Sequence, residues 1–106
     1  MKNWVVEFLD EVVEAEFDDF PSEVRAKTIH ISNLIIEFGL QKIGMPYIRH
    51  VQDKIWEIRA LQGRSLYITD VGEKVIILRC FIKKSNRLPK KELKIARKRA
   101  KEIQNG

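Results

Sequence analysis

The stretch between residues 54 and 84 constrains the fold most, because apolar segments of strand length alternate there with short turn signals. The segments cover residues 54–60, 64–69 and 74–83, and the breaks between them fall at Gly63 and at Asp70-Val71-Gly72. Connections this short join strands that run in opposite directions. The sequence therefore predicts an antiparallel β-meander in the second half of the chain.

A strand and two helices are predicted before the meander. Residues 4–8 are compatible with a short first strand, and Asp10 can cap a helix over residues 11–18, whose first turn is acidic. We expect Pro21 at the first position of a second helix, which Gly39 ends. One face of this helix has apolar three- and four-residue spacing and is predicted to be buried. Its residues are Val24, Thr28, Ile31, Ile35 and Phe38.

Simple alternation gives the last strand two different faces. One face is apolar and is expected to pack on the helices: Ile76, Leu78, Cys80 and Ile82. Cys80 is interpreted as a small core residue rather than a nucleophile. The opposite face carries Val75, Ile77, Arg79, Phe81 and Lys83. Pro89 is predicted to begin a final basic helix with a narrow apolar stripe, formed by Leu93, Ala96, Ala100 and Ile103.

Charge is divided unevenly along the chain. Residues 1–38 hold nine acidic and three basic side chains, a net charge of −6, whereas residues 79–106 hold eleven basic and two acidic ones, a net charge of +9. A surface of one sign concentrates partners of the opposite sign. The C-terminal part of the molecule is therefore predicted to face a phosphate-rich partner.

Size and composition exclude several classes of protein. The 106 residues are expected to form one domain, 1–106. No apolar run approaches the roughly 20 residues that span a bilayer, and the N-terminus turns acidic too early for a secretory signal, so no membrane partner is expected. The single cysteine favours a cytoplasmic location. One cysteine and two scattered histidines give no zinc spacing, and there is no glycine-rich phosphate loop, so neither a metal nor a cofactor is expected.

Single arginines stand inside apolar strands at positions 59, 64 and 79. A charge in such a place is costly unless an anion meets it. Phe81 shares a predicted strand face with Arg79 and Lys83, so its ring could stack a nucleobase while the cations hold phosphates. The alternative is structural, with Arg79 paired to a carboxylate such as Glu57 and Phe81 filling a secondary core.

Several short motifs follow one another in a specific order. They are Pro46-Tyr-Ile-Arg49, Ile55-Trp-Glu-Ile-Arg59, Arg64-Ser-Leu-Tyr67, Ile77-Leu-Arg-Cys-Phe-Ile-Lys-Lys84, Leu88-Pro-Lys-Lys-Glu-Leu93 and Ala96-Arg-Lys-Arg99. Together they resemble the RelE/ParE superfamily of type II toxins, nearest to its phage-derived HigB-like branch. The resemblance implies an α+β fold of the compact RelE type. In that fold an N-terminal strand and a helical hairpin pack on an antiparallel β-meander, with a basic C-terminal helix.

The same resemblance implies a metal-independent endoribonuclease that cleaves mRNA on the ribosome and inhibits translation until an antitoxin silences it. The resemblance also implies the partners: a cognate antitoxin of helix-turn-helix type from the same operon, together with mRNA and the ribosome. The superfamily also contains gyrase-inhibiting toxins of the ParE type, which remain an alternative. A non-catalytic, basic nucleic-acid-binding relative is a third possibility.

Four cations are the predicted catalytic residues. Arg59, Arg64 and Lys83 match positions of the family's motifs, and phosphate clamping is assigned to the two arginines because a guanidinium can hold two phosphate oxygens. Arg79 stands where HigB-like relatives generally carry histidine, and is assigned to transition-state stabilisation or leaving-group protonation. Lys83 or Lys54 is assigned base or electrostatic work. The predicted RNA-binding residues are Arg49, His50, Lys54, Phe81, Lys84, Arg87 and Lys90.

Overall fold

The meander predicted from the turn signals forms the middle of the structure, a computed structural model that describes residues 4–105. The described residues form the strands β1 (Val5–Phe8), β2 (Ile48–Gln52), β3 (Ile55–Ala60), β4 (Gly63–Asp70) and β5 (Lys74–Ile82). They form one mixed sheet in the order β1-β5-β4-β3-β2. β3, β4 and β5 pair antiparallel, which confirms the predicted three-stranded meander, and β2 adds a further antiparallel strand beside β3. β1 joins the far edge, parallel to β5.

Helices cover both faces of this sheet. They are α1 (Glu11–Asp18), α2 (Ser22–Phe38) and α3 (Lys90–Asn105), with a short 3-10 helix at Leu40–Lys42. One hydrophobic cluster joins α1 and α2 to the first face, and a second cluster joins α3 to the opposite face. The predicted α+β arrangement of strand, helical hairpin, meander and C-terminal helix is therefore confirmed.

The ends of the helical hairpin follow local capping chemistry. Asp10 caps α1 as predicted, since its Oδ1 accepts a hydrogen bond of 3.1 Å from the Val13 N–H. Gly39 caps α2 with a φ of +89°, a conformation that glycine adopts without strain. Pro21 is the N-cap of α2, not its first helical residue, because its ψ of 151° is extended.

The buried face of α2 is confirmed except at its last position. Val24, Thr28, Ile31 and Ile35 are buried, but the Phe38 side chain is 54% exposed. Gly39, four residues after Ile35, occupies the next place on that face. A Cβ there would lie 3.3 Å from the Trp4 Nε1, so Trp4 fills the space that Phe38 was predicted to fill.

A β-bulge in β5 overturns the predicted division of that strand into two faces. Leu66 pairs with Arg79 and Tyr67 with Ile77, which leaves Leu78 as an extra residue. Ile76 and Leu78 therefore pack towards α3. Beyond the bulge the alternation is reversed: Cys80 joins the cluster under α1 and α2, and Phe81 joins the cluster under α3. Cys80 is a core residue as predicted, and burial raises the pKa of its thiol to about 12.

The C-terminal helix docks through the predicted stripe. Ala96 is fully buried in the second cluster, and Leu93, Ala100 and Ile103 pack against it. The helix begins one residue later than expected, at Lys90, and the Pro89 carbonyl accepts hydrogen bonds from the Glu92 and Leu93 N–H groups. Between residues 4 and 105, none of the helices combines the length and hydrophobicity needed to cross a bilayer.

Close packing of α2 on the β3–β4 turn predicts a stability difference between two glycines. A Cβ at Gly63 would clash with the Val24 Cγ1, whereas a Cβ at Gly44 would meet no atom within 4 Å. Gly63→Ala is expected to lower the free energy of unfolding by about 1–3 kcal/mol, because the core has no room for the methyl group. Gly44→Ala should change it by less than about 0.5 kcal/mol. Urea denaturation of both variants measures the difference, and equal stabilities would contradict the packing.

Candidate functional site

The antiparallel register gathers cations at one end of the sheet. Arg59 pairs with Arg64 across β3 and β4, and Arg49 pairs with Glu57 across β2 and β3. Residues paired in this way project to the same face of a sheet. The side chains of Arg49, Glu57, Arg59 and Arg64 therefore share the face on which α3 packs. Lys83, two residues beyond Phe81, follows on the same side.

A buried carboxylate lies between the two arginines, Arg59 and Arg64, which we call the arginine pair. Glu57 is 4% exposed. Its Oε2 lies 3.6 Å from the Arg59 Nε and its Oε1 lies 3.8 Å from the Arg64 Nε. Both distances are too long for hydrogen bonds, and both Nε atoms are buried without a partner. Glu57 thus balances charge while leaving two N–H donors unused.

Arg64 is held in place by backbone carbonyls. Its Nη1 donates to the Leu61 carbonyl at 2.8 Å and to the Gly63 carbonyl at 2.9 Å. Burial lowers the pKa of Arg64 below its ordinary value, with a further decrease from the nearby Arg59 and an opposing increase from Glu57. Arginine nevertheless remains protonated in proteins. The guanidinium is therefore a fixed, desolvated cation.

Two cavities open beside the arginine pair. The Lys83 cavity has a volume of about 180 Å³ and is lined by Arg49, His50, Val51, Glu57, Lys83, Asn86 and Leu88. The Lys27 cavity has a volume of about 250 Å³ and is lined by Lys27, Pro46, Tyr47, Arg59, Leu61 and Arg64. The structure thus brings five predicted residues to adjoining cavities: Arg49, His50, Arg59, Arg64 and Lys83.

His50 borders the Lys83 cavity, but its ring is directed elsewhere. His50 pairs with Trp56, so the two side chains share the face opposite to Arg49. The rings pack with centroids 5.0 Å apart, and the His50 Nε2 donates a hydrogen bond of 2.7 Å to the Asp53 carbonyl. The imidazole therefore does not point at the arginine pair.

The other predicted RNA-binding residues lie outside these cavities. Lys54 lines a different cavity with Arg97 and Lys101. Lys84, Arg87 and Lys90 are exposed around the connection between β5 and α3. The prediction that Phe81 stacks a base is wrong, because its ring is 8% exposed and packs in the cluster under α3. The alternative, in which Phe81 fills a secondary core, is confirmed.

Arg79 belongs to a network of four charged residues that we call the charge cluster: Glu16, Arg79, Glu92 and Arg99. The Arg79 Nη1 lies 2.6 Å from the Glu16 Oε2, and its Nε lies 2.7 Å from the Glu92 Oε1. Arg99 shares Glu16 at 3.0 Å. Two carboxylates therefore compensate Arg79 within the protein, and the argument that its charge requires an external anion is wrong. The suggested partner Glu57 is also wrong, since Glu57 lies beside the arginine pair.

The charge cluster also satisfies the backbone of the bulge in β5. The Glu16 Oε1 accepts a hydrogen bond of 3.1 Å from the Cys80 N–H, and the Arg99 Nη1 donates one of 2.7 Å to the Leu78 carbonyl. β1 pairs with β5 only as far as Ile77, so these polar groups lie beyond the end of β1. Side chains from α1 and α3 thus replace a neighbouring strand.

The family is decided by a match over most of the sequence. The profile of the family described as "Phage derived protein Gp49-like" matches residues 15–101. The chain belongs to this Gp49-like family. No curated protein sequence matched the chain.

Three solved structures share the fold of this Gp49-like protein. The archaeal RelE–RelB complex of Pyrococcus horikoshii OT3 gives a TM-score of 0.63 at 11% identity, covering 83% of this chain and 100% of the other. A mutant of E. coli toxin RelE in the free state gives a TM-score of 0.59 at 19% identity, and the match covers 92% of this chain and 97% of the other. The RelBE2 toxin–antitoxin complex of Mycobacterium tuberculosis gives 0.58 at 16% identity, covering 76% and 99%. The predicted RelE-like fold is confirmed, whereas assignment to the HigB-like branch stays a prediction.

The residues that surround the cations are not identifiable from the sequence alone. The sequence suggests Glu57 only as a partner for Arg79, and its motifs do not mark Lys27 or Tyr47 as site residues. Lys27 lies on α2, far from the meander in sequence, so only the packing of α2 brings it near Arg59. The partners of Arg79 are also distant, with Glu16 63 residues away and Glu92 13 residues away. No local spacing signals such contacts.

The charge cluster predicts a stability that depends on pH. Burial alone would raise the pKa of Glu16, but hydrogen bonds from Arg99, the Cys80 N–H and Arg79 lower it below its ordinary value. A carboxyl with a depressed pKa stabilises the fold above its unfolded pKa, and this stabilisation is lost as the pH falls through the folded pKa. Glu16→Gln is expected to lower the free energy of unfolding at pH 7 by about 1–3 kcal/mol.

Chemical denaturation as a function of pH measures this effect. The difference between wild type and Glu16→Gln should narrow as the pH falls below 4.5, the ordinary value for the group. Glu14→Gln is the matched control, because Glu14 is exposed on the same helix and forms no ion pair within the described residues. Equal destabilisation by both variants would contradict a role for the charge cluster.

Proposed function

We propose that this Gp49-like protein is the toxin of a toxin–antitoxin system and cleaves mRNA on the ribosome without a metal ion. The observation that carries the proposal is the arginine pair: its two Nε–H donors are buried without a hydrogen-bond partner, and both arginines line a cavity together with a further cation, Lys27. Buried donors of this kind are costly unless a ligand uses them. The RelE-like fold supports the same function by analogy.

The chemistry follows from the charges that the site offers. Attack of a 2′-hydroxyl on the adjacent phosphorus forms a 2′,3′-cyclic phosphate and breaks the bond to the 5′-oxygen. The hydroxyl proton must be removed, the 5′-oxygen must gain a proton, and negative charge develops on the phosphoryl oxygens between these events. Arg59 and Arg64 are assigned to stabilising that charge, since preorganised cationic donors act most strongly in a water-poor site.

Lys83 is assigned base or electrostatic work because it shares a cavity with Glu57 and Arg49. Arg79 receives a different role in this proposal from the one the resemblance implied. Because Glu16 and Glu92 already bind its guanidinium, we propose that Arg79 holds α3 and the β5–α3 connection in place and does not contact RNA. Lys84, Arg87 and Lys90 on that connection are proposed to bind RNA backbone.

The proposed partner that controls the toxin is an antitoxin with an acidic segment. Two of the structural relatives are complexes: the RelBE2 toxin–antitoxin complex of Mycobacterium tuberculosis and the RelE–RelB complex of Pyrococcus horikoshii. In this chain the net charge of +9 over residues 79–106 favours fast, salt-sensitive association with an acidic segment. Covering the arginine pair would then exclude RNA.

Cleavage on ribosomes is the first test. Purified protein added to programmed ribosomes should cut the message and leave 2′,3′-cyclic phosphate ends, because the nucleophile is the neighbouring hydroxyl. A message with one 2′-deoxynucleotide at the cut position should remain whole there. Primer extension and end-group analysis measure both results. An intact message, combined with inhibited DNA supercoiling by gyrase, would establish the gyrase-inhibiting alternative instead.

Arg59 provides the second test, because its side chain is 24% exposed and its replacement does not remove a fully buried group. Arg59→Ala is expected to lower kcat/KM on ribosomes by about 100- to 1,000-fold, the usual cost of one donor to developing negative charge. Arg59→Lys should recover only part of the loss, since lysine lacks the planar fork. Lys42→Ala, at an exposed lysine that lines neither cavity, is the control. Unchanged cleavage by folded Arg59→Ala would refute the assignment.

A further inference from the structure

Lys27 is a cation that neither the sequence motifs nor the proposed cleavage site explains. It projects from α2 towards the β3–β4 end of the sheet, where its Nζ lies 4.8 Å from the centre of the Tyr47 ring. Within residues 4–105 no carboxylate lies within ion-pair distance of it. Contact between a cation and a ring at a half-exposed site is weak. The ring therefore positions the ammonium group without neutralising it.

The Lys27 cavity joins this lysine to the arginine pair. Its lining contains three cations, Lys27, Arg59 and Arg64, and no acidic residue. The volume of about 250 Å³ is large enough for several water molecules, each of which occupies about 30 Å³ in the liquid. Pro46, Tyr47 and Leu61 supply the apolar part of the wall. The cavity therefore suits a ligand that combines an anionic group with a less polar part.

Arg64 is the most buried of the three cations that line the Lys27 cavity. Arg64 is only 8% exposed, its Nη1 is occupied by two carbonyls, and its Nε has no hydrogen-bond partner. The two carbonyls hold the guanidinium in place, and its Nε lies 3.8 Å from the Glu57 Oε1, an ion pair that is too long for a hydrogen bond. A guanidinium that is already fixed and largely desolvated pairs strongly with a phosphate oxygen, because it loses little further hydration and side-chain freedom on binding.

We infer that the Lys27 cavity is a second phosphate subsite, which binds the RNA backbone phosphate next to the one that is cleaved. This inference rests on the proposed function. It adds Lys27 as a substrate-binding residue and Tyr47 as the residue that positions it. Arg59 and Arg64 border the subsite and the cleavage position together, so one strand of RNA contacts both. An acidic peptide is the competing occupant, because a carboxylate would meet the same three cations.

The test uses short RNA analogues that cannot be cleaved. The first probe is a 2′-O-methyl trinucleotide with two bridging phosphates, and two further probes each replace one phosphate by a neutral methylphosphonate. Dissociation constants are measured by fluorescence anisotropy for wild type, Lys27→Ala, Lys27→Arg and the control Lys42→Ala. These probes report binding whether or not the protein cleaves RNA.

Lys27→Ala is expected to weaken binding of the phosphate probe about tenfold, the effect of losing one charged hydrogen bond. Wild type should bind one of the two methylphosphonate probes about tenfold more weakly than the phosphate probe. Lys27→Ala should bind that same methylphosphonate probe almost as well as wild type does, because the contact that Lys27 makes is already missing. Lys27→Arg should restore most of the affinity, and Lys42→Ala should bind like wild type. The slope of log K against log salt should become shallower by about 0.7 for Lys27→Ala, the value for one phosphate contact in a single strand.

Two results would overturn the inference. One is that Lys27→Ala and Lys42→Ala bind the phosphate probe with equal affinity. This result would also overturn the inference if Lys27→Ala weakened only the binding of an acidic peptide. The other is an equal loss on all three probes with Lys27→Ala, which would indicate a general effect of charge. If wild type cleaves no message but the tenfold difference and its dependence on one phosphate persist, the proposed cleavage fails and the Lys27 cavity stands as a site for one phosphate of bound RNA. Thermal unfolding of each variant confirms that the proteins compared are folded.

Discussion

The charge cluster of Glu16, Arg79, Glu92 and Arg99 is the interaction on which the arrangement of the elements depends. It joins α1, β5 and α3 at the point where β1 ends and β5 would otherwise expose unpaired backbone groups. Removing one partner from such a network leaves another charge poorly compensated, so its members act together. Hydrophobic contacts attach α3 through a narrow stripe, and the charge cluster connects the same helix to α1 and β5 through Glu92 and Arg99.

The arginine pair shows the opposite treatment of buried charge. At the charge cluster, donors and acceptors meet at hydrogen-bonding distance. At the arginine pair, the Glu57 carboxylate lies 3.6 Å from the Arg59 Nε and 3.8 Å from the Arg64 Nε. One site is satisfied internally and the other is left with capacity to bind. Functional sites commonly retain such local deficits, which the rest of the fold must support. Here the carbonyls of Leu61 and Gly63 and the packing of α2 provide that support.

Features encoded by neighbouring residues were predictable, and features that depend on distant contacts were not. Turn residues at Gly63 and Gly72 delimit the strands, Asp10 caps α1, and Gly39 ends α2, so these boundaries follow from local chemistry. The parallel pairing of β1 with β5 and the bulge at Leu78 depend on tertiary structure. Because the bulge reverses the alternation, it also determines that Phe81 is buried. The positions of Arg59 and Arg64 could be predicted from the motifs, but the partners of Arg79 and the approach of Lys27 required the three-dimensional structure.

The placement of α3 and the helical hairpin on opposite faces of the sheet separates positive from negative charge and so gives the molecule an electric dipole moment. The acidic residues of the first 38 positions lie mostly on the hairpin side, and the basic residues of the last 28 lie mostly on the other. In the field of a polyanion such a dipole exerts a torque that turns the positive face forward. That face also carries Arg59 and Arg64. Rotation during approach would therefore present the arginine pair first, before any specific contact has formed.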